Sequence, residues 1–239
     1  MDGRRPLGIL DVNTHVRTPD QEFEYDRWYQ DVHFADVTEP GIFVQASMFH
    51  NASSPPAPGE GRFLAFYECM WSDLETASRA FSRAVATLWQ EQRIHAGTAG
   101  RLFGIYRPHE WLARPERRPR SQSLLAEHLD CTDPARAPAL LEWYARKRLP
   151  AALELGLHHT ASISERLYGA QGFDRLARDP APAAAVDEDA DQPRFLALYE
   201  SDRGDPRWLA RQLERRLAHD PLPDFARVRL ASSFYRASP

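Results

Sequence analysis

Apolar and polar positions along the chain alternate between short extended runs and longer stretches with helical spacing. Leu7 to Asn13 is an apolar run of strand length, and from Glu22 to Glu39 the bulky residues Tyr25, Trp28, Tyr29, Val32 and Val37 keep to one helical face. Pro40-Gly41 ends that helix. Ile42 to Phe49 and Phe63 to Tyr67 read as strands, joined by a Pro/Gly/Ser-rich loop between Ala52 and Gly61. Asp73 is placed to cap a second helix running to Gln92, with Leu74, Ala77, Phe81, Val85 and Leu88 at intervals of three or four. Leu102 to Tyr106 supplies the last strand of this series.

The series then repeats. Trp28-Tyr29 recurs as Trp143-Tyr144 and Gly41 as Gly156, each 115 positions later. Arg62-Phe-Leu-Ala-Phe-Tyr-Glu68 recurs 132 positions later as Arg194-Phe-Leu-Ala-Leu-Tyr-Glu200, and Tyr106-Arg107 recurs as Tyr235-Arg236. A duplicated module is the reading: residues 1–112, a Pro/Arg-rich linker at 113–119, and residues 120–239. The second copy's elements are expected at Leu124 to Leu129, Ala137 to Leu155, Leu157 to Leu167, Phe195 to Tyr199, Pro206 to His219 and Ala226 to Tyr235. Its extra length falls in the acidic stretch Arg178 to Pro193, expected to be a mobile loop inside the repeat.

The order strand, helix, strand, strand, helix, strand is the ferredoxin-like βαββαβ motif, so the expected class is α+β. Phe63 to Tyr67 is apolar at consecutive positions, so both faces of that strand call for burial. Two antiparallel sheets packed face to face within one chain, as an intrachain α/β barrel, meet that demand.

Composition narrows the chemistry. With 43% hydrophobic and 27% charged residues and a formal net charge of -4, the 239-residue chain has the balance of a soluble globular protein and no basic block for nucleic acid. No apolar run is long enough to span a membrane and no secretory leader is readable, so a cytoplasmic protein without a membrane partner is expected. Two cysteines, Cys69 and Cys131, exclude a disulfide framework and a thiolate metal site. Lys147 is the only lysine, which leaves Schiff-base and P-loop chemistry without a motif. No metal site is expected from the histidine spacing.

Trp28-Tyr29-x-x-x-His33-x-x-Asp36-Val37, then Pro40-Gly41 and a strand, then Arg62-Phe-Leu-Ala-Phe-Tyr-Glu68, resembles the dimeric α/β-barrel superfamily, and especially its EthD-like members. The resemblance covers nearly all of both copies. It implies the barrel fold and a small-molecule substrate, and a homodimer is compatible with it. For function it implies a range: cofactor-free monooxygenases, polyketide cyclases, lactone isomerases, haem enzymes and members without assigned activity. From that range the expected activity is a cofactor-independent cyclase, dehydratase or isomerase acting by acid–base chemistry on an oxygenated aromatic or polyketide-like compound. The alternatives are a haem oxidoreductase of the chlorite dismutase-like branch, which also joins two modules in one chain, and a non-catalytic EthD-like binding protein.

The residues that could carry such chemistry start with Tyr29, His33 and Asp36, spaced to share one helical face. His33 would move the proton, Tyr29 would act as acid or hydrogen-bond donor, and Asp36 would orient the ring; the alternative is a helix-end histidine. The copies differ here, with Arg148 in the place of His33 and Ala151 in the place of Asp36. The first cleft is therefore expected to be the more polar and open, and the second to be filled near Arg148. Asn13, His15, His50, Tyr67, Glu68 and His158 are candidates for binding the substrate, and an inward histidine of the second copy would be the axial ligand of a haem. His158 and His159 are adjacent and, if extended, face opposite sides.

Overall fold

The computed structural model describes residues 4–114, 120–176 and 192–236. Eight strands are present among them: β1 (Gly8–Val16), β2 (Phe43–Asn51), β3 (Phe63–Cys69), β4 (Thr98–Ala113), β5 (Ser123–Cys131), β6 (Thr160–Gly169), β7 (Phe195–Ser201) and β8 (Ala226–Arg236). They form one closed antiparallel barrel in the order β1-β3-β2-β8-β5-β7-β6-β4. Each half keeps the ferredoxin-like order, β4-β1-β3-β2 and β8-β5-β7-β6. Their edges join where β2 pairs with β8 and β4 with β6, so no strand edge is left open.

Period-two alternation divides the side chains between the lumen and the helices that cover the outside. Ile9, Leu64, Phe66, Leu196, Leu198 and Phe234 pack together inside the barrel. Leu10, Phe63, Ala65 and Tyr67 face the helices of the first half, and Leu125, Phe195, Ala197 and Tyr199 those of the second. Both faces of β3 and β7 are therefore buried along their whole length, which accounts for their unbroken apolar sequences.

The first helix of each half is interrupted in the same way. In the first half α1 (Glu22–Trp28) passes through a π turn at Tyr29–His33 into α2 (Phe34–Thr38). In the second, α4 (Ala137–Trp143) passes through a π turn at Tyr144–Arg148 into α5 (Leu149–Glu154). The wider turn shifts the helical phase, so Val32, placed on the apolar face by simple periodicity, is 42% exposed, while Asp36 is buried. Gly41 and Gly156 follow the two helices with φ of 71° and 68°, the left-handed conformation that glycine adopts without cost.

The long helix of each half, α3 (Leu74–Gln90) and α7 (Pro206–Leu217), starts at an aspartate whose carboxylate accepts backbone hydrogen bonds: Asp73 from Glu75 and Thr76, Asp205 from Trp208. Two elements go beyond the sequence expectation. β4 runs on to Ala113 because its distal part pairs with β6, and a short helix α6 (Ala170–Leu176) follows β6. His158 and His159 precede β6 and do not lie within it. Most of the linker at 113–119 and of the acidic stretch from Arg178 to Pro193 lies outside the described residues.

Candidate functional site

In each half a tyrosine of the central strand meets the π turn of the first helix, between the helices and the outer face of the sheet. In the first half Tyr67 donates its hydroxyl hydrogen to Tyr29 Oη at 3.2 Å, and both residues are buried. His33 stacks on Trp28 with ring centroids 4.7 Å apart and meets Tyr29 edge-on at 4.7 Å. Burial drives the His33 pKa down to about 4, so the ring is neutral near pH 7, and its Nδ1 has no protein hydrogen-bond partner. Tyr29 stays protonated, held well above the ordinary phenol range chiefly by burial and then by neighbouring Tyr67. Asp36 does not reach His33, because its carboxylate accepts from the Arg93 guanidinium. The structure thus joins Tyr29 and His33 and sends Asp36 elsewhere.

The remaining sequence candidates are scattered. Tyr67 belongs to the group just described. Asn13 is fully buried with its side chain on the lumen side, where neither amide atom has a protein partner. Glu68 also faces the lumen and accepts from Arg4 Nε and Nη2 at 2.8 and 3.0 Å. His50 Nε2 lies 3.2 Å from Asp26 Oδ1; burial pushes the Asp26 carboxyl up, but His50, Gln30 and Arg62 together outweigh it and hold the carboxyl below its usual range. His15 lies on β1 opposite Ala99. His158 is buried against Tyr199 with ring centroids 5.9 Å apart, and burial, reinforced by His159, lowers its pKa to about 4. His159 faces the opposite way, toward Ser121.

The second cleft holds a different group. Glu127 on β5 stands where the first half has Val12, and it meets Arg148, Tyr144 and Tyr199. Arg148 Nε donates to Glu127 Oε2 and to Tyr199 Oη at 3.2 Å each, and Arg148 Nη2 donates to Glu127 Oε1. Tyr199 and Tyr144 donate to Glu127 Oε2 at 2.9 and 3.2 Å. The Glu127 and Arg148 side chains are 12% and 10% exposed. Burial works against the charge of Arg148, but the facing Tyr199 and Glu127 oxygens outweigh it and hold its pKa above the ordinary value. Both phenols are raised well above theirs by burial and by the Glu127 charge, so they remain donors.

A cavity of about 120 Å³ opens beside this cluster, between Glu127, Arg148 and Tyr199 on one side and Leu213 and Leu217 of α7 on the other. Arg148 Nη1 makes no hydrogen bond among the described residues. It can receive an oxygen of a bound molecule, while Glu127 can accept a proton. Arg148 is paired, as expected, yet a small cavity lies beside it; the first half has a cavity of about 620 Å³ lined by Trp28, Trp89, Arg93 and His95, with Tyr29 and His33 outside its lining. In the first half the aromatic side chains Tyr25, Trp28, Tyr29 and Phe63 pack together.

A third polar pair lies in the lumen. His128 Nε2 and Asp11 Oδ2 are 2.7 Å apart, and both residues are fully buried. Asp11 interrupts the apolar run of β1 and His128 that of β5, at positions whose neighbours face the helices; that break is the signal in the sequence. Glu127 could have been found as a charged residue on the helix-facing side of a buried strand.

No protein-family profile and no curated protein matches the chain. Solved structures do. A dye-decolorizing peroxidase from Bacteroides thetaiotaomicron aligns with a TM-score of 0.57 at 9% identity, over 99% of this chain and 94% of that one. A putative chlorite dismutase aligns with a TM-score of 0.52 at 9% identity, over 98% and 96%. An anthrone oxidase-like protein aligns with a TM-score of 0.50 at 9% identity, over 99% and 93%. The chain has the α+β barrel fold of these proteins. Identity this low establishes the fold and not the activity.

Haem, the alternative cofactor, does not fit the cavity beside Arg148. The second cavity, about 120 Å³, is well below the roughly 300–1,000 Å³ of pockets that enclose drug-sized ligands. No histidine, cysteine or methionine lines it, and Tyr199 is committed to Glu127. Among the described residues no cluster of three or more His, Cys, Asp or Glu is placed to hold a metal ion, and no helix is long and apolar enough to cross a membrane.

Proposed function

We propose that the chain is a cofactor-independent enzyme of EthD-like kind, a cyclase, dehydratase or isomerase that moves protons on an oxygenated aromatic or polyketide-like small molecule bound in the second cleft. The observation that carries this is the cavity opening onto a buried carboxylate, a guanidinium with one free nitrogen, and the phenol of Tyr199. In this reading the carbonyl oxygen of the substrate sits on Arg148 Nη1. Glu127 takes a proton from the adjacent carbon, the C–H electron pair moves to give an enolate, and Arg148 stabilises the oxyanion. Return of the proton from Glu127 to another carbon completes an isomerisation with no change of oxidation state. Tyr199 and Tyr144 hold the carboxylate aimed at the cavity.

A second reading keeps the proton with His33 and Tyr29 of the first half, favoured by the unpartnered Nδ1 of His33. The test is a screen of oxygenated aromatic and polyketide-like compounds for cofactor-free conversion, followed by Glu127→Gln. Loss of about 10²- to 10⁴-fold in kcat is expected, the usual share of a general acid–base residue. Turnover that survives Glu127→Gln within about threefold but falls on His33→Ala moves the chemistry to the first half. Binding without turnover of any compound favours the non-catalytic alternative.

A further inference from the structure

α6 belongs to the second half by sequence but packs on the first. The Phe173 ring lies 5.3 Å from the Phe81 ring of α3 and 4.8 Å from the Phe103 ring of β4, and its carbonyl accepts from Ser82 Oγ at 2.7 Å. These three contacts can be carried onto the other half. Val12 pairs with Phe103 as its counterpart Glu127 pairs with Ala231. The capping residues Asp73 and Asp205 align Phe81 with Leu213 and Ser82 with Glu214. Ala231, Leu213 and Glu214 are all walls of the second cavity. The first half therefore carries, supplied by its own chain, an aromatic ring in the seat that the described residues of the second half leave empty.

Among the described residues, nothing in the first half plays the part of α6 toward the second. The segment between β2 and β3 turns back at Glu60, which accepts from Asn51 Nδ2 at 3.0 Å and from Ser232 Oγ at 2.7 Å. At the mouth, Ala231 replaces the ring of Phe103 and leaves the space that a second ring would fill.

We propose that the second cleft is a receptor for a single aromatic ring bearing an anionic or carbonyl oxygen, such as a monocyclic aromatic carboxylate, with its ring in the position of Phe173 and its oxygen on Arg148. This rests on the reading of the second cleft as the substrate site and names the class of compound it takes. Size sets one limit. At about 120 Å³ the cavity is somewhat smaller than one of roughly 150 Å³ that encloses benzene, so with its open mouth it takes one ring at most and not a fused polycycle. Chemistry sets the other. Leu125, Leu213 and Leu217 give apolar walls, and the free Nη1 of Arg148 gives the one cationic donor at the inner end. The mouth, where Glu214 and Ala231 are exposed, lets the ligand enter from solvent.

The experiment is isothermal titration of the full chain with benzoate, cyclohexanecarboxylate and 1-naphthoate, repeated on Ala231→Phe and Ala231→Leu. Benzoate is expected to bind with one site per chain and about tenfold or more tightly than 1-naphthoate, and Ala231→Phe to weaken it by about tenfold or more. Ala231 is exposed, so the thermal midpoint of both variants is expected to stay near that of the parent, and Ala231→Leu keeps the test open if the phenylalanine misfolds. Absence of benzoate binding, equal binding of 1-naphthoate, or unchanged affinity in both variants overturns the proposal. The catalytic reading fails separately: benzoate binding that is lost in Ala231→Phe, without any turnover by the parent, keeps the receptor and removes the enzyme.

Discussion

The two halves share a backbone down to the π turn at the same place in the helix, yet they are completed in opposite ways. In the first, Tyr25, Trp28, Tyr29 and His33 pack on one another above Tyr67, and Phe173 arrives from the other half to pack on Phe81 and Phe103. In the second, Leu140, Trp143, Tyr144 and Arg148 hold the corresponding helix positions, and Glu127 replaces Val12 on the sheet. The two charged replacements depend on each other, since either alone would bury an unpaired charge at a cost of several kcal/mol. At equivalent places the first half thus has an aromatic cluster and the second a charged, hydrogen-bonded cluster beside a small cavity.

Removing the charge on one side should separate the halves most sharply. Arg148→Met leaves Glu127 buried with only the two phenols and is expected to cost about 3–5 kcal/mol of unfolding free energy in urea denaturation. His33→Met at the equivalent place exchanges one stacked side chain for another and is expected to cost about 1 kcal/mol. Equal losses would show that the Glu127–Arg148 pair contributes no more than ordinary packing.

The plug is the next largest effect. Phe173→Ala vacates a ring that is 4% exposed and packed on Phe81 and Phe103, and should lower stability by about 3–4 kcal/mol. Loss of less than about 1 kcal/mol would mean that α6 merely rests on the surface of the first half.

Acid should affect both halves. The pKa values of His33 and His158 are lowered by burial from 6.5 to about 4. Above pH 6.5 both states hold these rings neutral and they contribute nothing to the pH dependence. As the pH falls from 6.5 toward 4, the unfolded chain takes up the protons first, so stability declines, by up to about 3 kcal/mol per histidine. The check is chemical denaturation across that range, with His33→Phe and His158→Phe each expected to flatten the decline by one histidine's share.

Hydroxyl deletion is the smallest and most selective comparison. Tyr199→Phe removes a donor to a carboxylate and should cost about 2 kcal/mol, whereas Tyr67→Phe removes a donor to another hydroxyl and should cost about 1 kcal/mol. Reversal of this order would place the charged cluster in contact with water.

The barrel was legible because its determinants are local and repeated: paired landmarks, helix stops at Gly41 and Gly156, capping aspartates and strands apolar on both faces. The site was less legible because it depends on which face each side chain takes. Tyr29 and His33 were correctly placed together by helical spacing. The π turn and Arg93 then sent Asp36 elsewhere, and nothing at single-helix level announces either. Glu127 was overlooked because its partner lies 21 residues away on another element, and the two meet only once the helix packs on the sheet. α6 was invisible because its partners are in the other half.

Anomalous diffraction from a crystal soaked in 4-bromobenzoate tests the central claim most directly, since the bromine marks which cleft receives a ring. A peak between α7 and β8, with carboxylate density toward Arg148, is the predicted result. A peak beside Tyr29 and His33, with the space next to Arg148 unoccupied, would contradict the account.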